Sequence, residues 1–517
     1  MAASSNTVME CTMEWLRDVY IRLNQGVTWR DVGVYLTVGG STWLVYKVLV
    51  KPFLSPLRQI PGPPYKPIVG NMFDALRAEP MTNTIEWMKT YKSRIIRYYF
   101  LYGEGRVLVS DPEIVKYISV TNSRNYSRLS SGFTIRRLAP RFVLFTDRDE
   151  HVALRKLMNP AFSLNTVESF LPTFVKHTQK VVAMWDAAIG QQGDMAQVDA
   201  QMMMMRLTLD LICECGFDYQ LHALESPTAA GVQSFRRILQ GSRIRLMQMI
   251  PFFRSLPTKE NRQLWQDNKT FVSAITNMVS KKRNQLENTQ LGQGVEHKGD
   301  LLSILFQAKD ENGKCLEDKV IFDQIAGFLF AGFETTSTLL TWTLLLLGEY
   351  PAVQDKLRSE IQSLLTPSSC QLTSKMLDKM TFLNCVVKES LRLYPPASAL
   401  FRRARSDDNL GGYFIPAGTI VGIGIGGLHR HPENWEDPET FRPERFLQEV
   451  NPYKFQPFTA GPYMCIGHRF AMMEAKAILV TLLNNFKFDM VPGYKYRTVR
   501  YLTIQPHPPL VLNVSRV

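Results

Sequence analysis

The stretch FTAGPYMCIG, residues 458–467, carries one cysteine, Cys465, between two glycines, Gly461 and Gly467. A disulfide needs a second thiol, and a structural zinc site needs three more ligands at short spacing; neither is present nearby. What remains open to such a cysteine is service as a thiolate. Backbone N–H groups in a glycine turn can point at the sulfur and favour its charged form. The helix read directly after it, in IGHRFAMMEAKAILVTLL, brings the positive end of its dipole to the same place. Gly461 and Gly467 let the backbone wrap close to a flat group. A lone thiolate held this way suits the axial position on a haem iron, which takes one strong protein ligand and keeps its opposite face open.

Three other stretches hold residues fit for chemistry. AGFETT, residues 331–336, sets Glu334 beside Thr335 inside an apolar run. A buried carboxylate is expensive, so an acid next to an alcohol there points to proton handling. Thr335 can bond back to the Ala331 carbonyl, and Gly332 offers close approach to a ligand. In KESLRLYPP, residues 388–396, Glu389 and Arg392 share a helix face, and Arg445 of FRPERF can bring a second guanidinium to Glu389. In DEHVALRKLMNPAF, residues 149–162, His151 and Arg155 stand four apart and can face one anionic group. The run MMMM at 202–205 reads as core filling rather than a metal site.

The elements that position these residues form a large, mainly α chain. It has 517 residues, 45% of them hydrophobic, with no internal repeat and no linker inside 70–517 that would divide it. The run from Glu317 to Tyr350 predicts a long helix, apolar on most faces and therefore central. Glu334 and the polar run after it argue against that helix crossing a membrane. Strands are expected only around 106–110, 413–415 and 419–423, giving small β-sheets. Residues 32–50, VGVYLTVGGSTWLVYKVLV, are long enough to span a bilayer and predict an anchor. Residues 1–31 precede it, and 51–70 form a hinge stiffened by Pro61, Pro63, Pro64 and Pro67. Residues 71–517 then make one catalytic domain. Seven scattered cysteines fit a reducing, cytosol-facing setting. The net charge of +13 is spread along the chain with no basic arm, which favours an anionic membrane or an acidic protein over nucleic acid.

Taken in order, AGFETT, ESLR, PERF and FTAGPYMCIG resemble the cytochrome P-450 superfamily of haem-thiolate monooxygenases, and the proline hinge after an apolar segment looks like a microsomal member. The resemblance covers roughly residues 58–515. It implies the cytochrome P-450 fold, haem b (iron protoporphyrin IX) bound through Cys465 with Phe458 packed near it, and a structural charge cluster of Glu389, Arg392 and Arg445. It further implies Glu334 and Thr335 as the acid–alcohol relay, and Arg155 and Arg402 as haem-propionate partners. Two positions depart from the family pattern. Tyr463 stands where arginine is usual and would offer a propionate one hydroxyl donor; His151 replaces a tryptophan and would offer a ring N–H.

Implied partners are an NADPH-dependent flavoprotein reductase and cytochrome b5, because the chain has no flavin or nicotinamide fingerprint of its own. Lys156, His468, Arg469 and Lys476 form the expected docking face. The implied location is the endoplasmic reticulum membrane, with the catalytic domain in the cytosol. A lipophilic substrate is expected in a pocket lined by Phe328, Phe330, Ala331, Ala397, Ser398, Ala399, Leu400, Leu502, Thr503 and Ile504. IPFFRSLP at 250–257 is a candidate entrance at the membrane. Two other readings fit the same motifs: a haem-thiolate isomerase or dehydratase, and a non-catalytic membrane haem-binding protein.

Overall fold

The computed structural model describes residues 29–77, 79–129, 135–226, 230–240, 255–290, 300–309, 313–365 and 371–517. Most of the 250–257 stretch lies outside the described residues. One helix, Asp318–Glu349, organises the rest. Glu317 caps it in extended backbone, and Tyr350 ends it before Pro351 opens the next helix. Its 32 residues extend about 48 Å. Side chains are buried along nearly its whole length, as an all-round apolar helix requires.

The helix Ala200–Phe217 lies flat against it. At Gly332 the two backbones come so near that a Cβ would sit 2.7 Å from Cγ1 of Ile212. The glycine serves helix packing, which corrects the expectation that it clears a ligand. Thr208 reinforces the contact by donating its hydroxyl to the Phe333 carbonyl at 3.0 Å. Met204 is fully buried in the same contact. Among the described residues no group of three His, Cys, Asp or Glu side chains could hold a metal ion. The helix His468–Leu483 packs on another side of the central helix, and Phe174 edges onto its Phe470 at 5.1 Å.

A five-stranded sheet runs in the order Ile95–Tyr99, Gly105–Val109, Ile420–Ile423, Leu400–Ala404 and Tyr126–Arg128. The second and third strands are parallel and the other neighbours antiparallel. Smaller sheets join Met195–Asp199 to Val511–Arg516 and Phe486–Met490, and Arg497–Arg500 to Ile504–His507. A two-stranded sheet pairs Asp408–Leu410 with Tyr413–Ile415, so the three strands expected from the sequence, at 106–110, 413–415 and 419–423, are present. Several of the strands that were missed carry arginine or other polar residues, as in LFRRA, YSR and RTVR.

The N-terminal helical run Asp31–Leu54 has a mean hydropathy of 1.2 and is almost entirely exposed. Its length and surface fit a membrane anchor. It continues past the expected end at residue 50, and its last turns are stitched to the body. Tyr65 donates to the Val48 carbonyl at 2.7 Å, and Tyr99 to that of Pro52 at 3.0 Å. The proline segment behind it is also pinned. Arg97 N–H donates to the Pro61 carbonyl at 2.8 Å, and the Arg97 guanidinium to that of Gly62 at 3.1 Å.

Candidate active site

Cys465 ends a loop closed by its own N–H, which donates to the Phe458 carbonyl at 2.9 Å. Gly461 has φ +71°, and a Cβ there would meet the Ser119 carbonyl oxygen at 2.0 Å. That neighbour, not a ligand, dictates the glycine. Gly467 caps the helix His468–Leu483, and a Cβ on it would find only Phe162, 3.9 Å away. Space beside Gly467, two residues after the cysteine, is therefore open. Cys465 is accessible on its own surface, yet protein encloses it on a larger scale and burial pushes its thiol up. The two statements agree when the sulfur faces an internal hollow. The Gly467 N–H, Arg155 and Arg128 pull the thiol back down without reversing the shift. Loop and helix alone thus favour the thiol form, and a metal ion bound at the sulfur would favour the thiolate.

Phe162 ties this loop to the central helix, with its ring centroid 5.4 Å from that of Phe328. The Phe328 face is accordingly the one turned toward the cysteine loop. Ala331 and Thr335, three and seven residues on, share that face and are partly accessible. The Thr335 hydroxyl donates to the Ala331 carbonyl at 2.8 Å. Phe330 points elsewhere. It is fully buried, stacked on Phe271 at 4.7 Å, which removes it from the expected pocket.

Glu334 is buried, and its Oε1 accepts from the Thr503 hydroxyl at 2.8 Å and the Gln505 amide at 2.7 Å. Burial pushes the carboxyl up to about 7, while the two donors draw it down. It lines a cleft with Gln201, Met202, Thr338 and Gln505. Thr503 thus belongs with the acid rather than the substrate pocket. Ile504 is buried too, and its carbonyl accepts from the Trp342 indole at 2.9 Å. Leu502 and the Ser398–Leu400 residues are half-buried and Ala397 is exposed, so these keep surface to offer.

A cationic corner adjoins the cysteine loop. Arg128 and Arg402 face each other directly across antiparallel strands, a register that like charges oppose. Their guanidiniums lie 4.3 and 5.3 Å from the Tyr463 ring centroid, and the His151 ring is 4.8 Å from it. Burial, then Arg402, lowers Arg128 to about 9. Burial, then Arg128 and Arg155, lowers His151 to about 4, so its imidazole is neutral at pH 7. His151 Nε2 is buried with no partner among the described residues. Arg155 donates to the Met464 carbonyl at 2.5 Å and to Asn159 at 3.1 Å.

Asp147 accepts from the Tyr463 hydroxyl and from Arg405. The Tyr463 hydroxyl is therefore committed to protein, which corrects the expectation that it donates to a propionate. Arg128, Arg155 and Arg402 have no carboxylate partner among the described residues. Grouped cations of this kind, Arg402 buried and Arg128 and Arg155 half-buried, with an orphaned imidazole nitrogen beside them, fit a ligand bearing two carboxylates. Haem has two propionates. Arg128, Asp147 and Arg405 were missed in the sequence. Asp147 was findable as the cap before the helix Arg148–Met158, whereas Arg128 lies in a three-residue strand with no pattern.

The structure brings Glu389, Arg392 and Arg445 together. Arg392 donates to both Glu389 oxygens at 2.7 and 2.8 Å, and Arg445 adds a bond at 2.9 Å. Arg392 also donates to the carbonyls of His429, Pro438 and Thr440, so the pair ties two further chain segments to one helix. On the expected docking face, Lys156 and Arg469 are exposed and Lys476 is half-buried. Burial lowers the Lys476 ammonium below its ordinary range. His468 is half-buried with Nδ1 3.0 Å from the Cys465 carbonyl.

The sequence profile of the cytochrome P450 family matches residues 60–513. Cytochrome P450 3A6 of Oryctolagus cuniculus is 31% identical over 479 residues, covering 88% of this chain and 91% of the relative. The cytokinin hydroxylase of Arabidopsis thaliana is 32% identical over 431 residues, covering 82% and 80%. Cytochrome P450 3A5 of Homo sapiens is 30% identical over 481 residues, covering 88% and 91%. With the cysteine loop, the cationic corner and the central helix arranged as described, the chain belongs to the cytochrome P450 family and is a haem-dependent oxidoreductase of the monooxygenase class.

Proposed function

We propose that this protein inserts one oxygen atom from O2 into a lipophilic small molecule, using NADPH electrons delivered by a membrane-bound flavoprotein reductase, with cytochrome b5 as a further donor. The carrying observation is Cys465, an accessible thiol enclosed by protein on a larger scale and linked through Phe162 to the Phe328–Ala331–Thr335 face of the central helix; the reading places a hollow between them. Haem, when bound, supplies the reduction of O2 and the oxidation of substrate.

The protein's own residues do the rest. Cys465 would hold the haem iron, and Arg128, Arg155, Arg402 and His151 would hold the propionates. Phe458 and Gly467 flank the sulfur. Ala331, the Ala397–Leu400 turn and Leu502 present apolar surface that orients substrate and keeps water out, with Phe328 buried behind them. Thr335 holds a proton at its hydroxyl on the hollow side, and Glu334 supplies protons from the cleft side. The anchor helix would hold residues 71–517, read as one catalytic domain, at the endoplasmic reticulum membrane facing the cytosol. Exposed Lys156 and Arg469 would meet an acidic reductase face, an encounter that salt weakens.

Reconstitution with an NADPH-dependent reductase and a panel of sterols, fatty acids, terpenoids and drug-like compounds tests this reading. Spin-state shifts on binding should pick out a lipophilic class, and NADPH-dependent product should follow. Peroxide rearrangement without reductase would instead favour an isomerase or dehydratase.

A further inference from the structure

Asp147 does three things at once. It caps the helix Arg148–Met158, accepting from the Arg148 N–H at 3.1 Å. It pairs with Arg405, and it accepts the Tyr463 hydroxyl. The Tyr463 ring, fixed at its tip, carries the guanidiniums of Arg128 and Arg402 over it and the His151 ring beside it. These are three of the four groups that the proposed haem site needs for its propionates.

We infer that Asp147 and Tyr463 act as one positioning unit: the carboxylate anchors the phenol so that its ring becomes the platform orienting Arg128, Arg402 and His151 toward the cofactor's carboxylates. This rests on the haem reading above and adds a consequence of its own. Whatever side chain stands at 463 ends beside Asp147. A guanidinium placed there is captured by Asp147 as an ion pair instead of reaching a propionate. Only with the Asp147 charge removed is it released to bind the cofactor.

The test is a four-member cycle of wild type, Asp147→Asn, Tyr463→Arg and the double variant. Asparagine caps helices about as well as aspartate, so the fold is kept. The readout is the rate of haem transfer from each holoprotein to excess apomyoglobin, which needs no turnover. Asp147→Asn alone, which unties the phenol, and Tyr463→Arg alone, which removes the ring while Asp147 captures the new guanidinium, should each speed transfer several-fold. Added to Asp147→Asn, Tyr463→Arg should slow transfer about tenfold, the size of one charge-assisted hydrogen bond. Equal slowing in both backgrounds, or slowing in neither, overturns the inference. The reduced carbon monoxide spectrum of wild type is recorded first. Loss of its thiolate band would sink the haem reading itself, whereas an intact band leaves the cycle to judge this inference alone.

Discussion

Glu334 and Thr335 are consecutive, yet their side chains bond to different partners. The carboxyl is held by Thr503 and Gln505 at the cleft, and the hydroxyl by the Ala331 carbonyl on the face turned to the cysteine loop. The acid and the alcohol therefore stand on either side of the same helical turn. A proton passing between them must move through that turn, by side-chain rotation or a bridging water.

In the proposed route Thr335 presents its hydroxyl on the helix face turned to the cysteine loop. Thr335→Ala should raise the NADPH consumed per product several-fold while substrate binding, read from the spin-state shift, stays near wild type. Unchanged coupling of NADPH to product would remove Thr335 from proton delivery.

The pH profile follows from Glu334. Its carboxyl titrates at about 7, so it carries a proton to give below that value and loses it above. Product formation per electron should fall as pH rises through about 7, and Glu334→Gln should flatten this inflection while lowering the rate. An inflection that survives Glu334→Gln assigns the titration to another group.

Glu389 neutralises two guanidiniums where almost no water reaches; it and Arg392 are each 0% exposed. Glu389→Ala strands both cations and should destabilise the haem-loaded protein by roughly 3–5 kcal/mol in urea unfolding. Loss below about 1 kcal/mol would mean that the surrounding carbonyls suffice to hold the arginines.

Glu474, on the helix behind Cys465, is buried, with neither oxygen in hydrogen-bond geometry although the Thr336 hydroxyl is near. Burial pushes it up to about 8. A folded value above the unfolded one means stability that is fully present below about pH 4.5 and is lost as pH rises toward 8. Glu474→Gln should therefore stabilise the protein increasingly across that window, by on the order of 1–4 kcal/mol at its top, read as a thermal midpoint that rises over wild type with pH. A pH-independent difference would place a hidden cation beside the carboxyl.

The features legible in the sequence share one property: each depends on local spacing. The central helix was found within a residue of its ends because its apolar run is unbroken and Pro351 punctuates it. The link from Glu389 to Arg445 was expected from side-chain chemistry, whereas the burial of the cluster came from the family resemblance alone, since i,i+3 charge pairs are usually exposed. What stayed hidden depends on register between distant strands. Arg128 opposite Arg402 arises from pairing two short strands far apart in the chain. The roles of Gly332 and Gly461 were misread for the same reason, since both accommodate protein neighbours, Ile212 and Ser119, that only the fold brings near. Thr503 was assigned to substrate because a hydroxyl in an apolar turn gives no hint of a carboxyl across the helix.

The most direct measurement is the reduced carbon monoxide difference spectrum of haem-loaded wild type beside Cys465→Ser. A thiolate-type band in wild type that disappears in the variant is the predicted result. A wild type without that band, or a variant that keeps it, would contradict ligation of the iron by this sulfur.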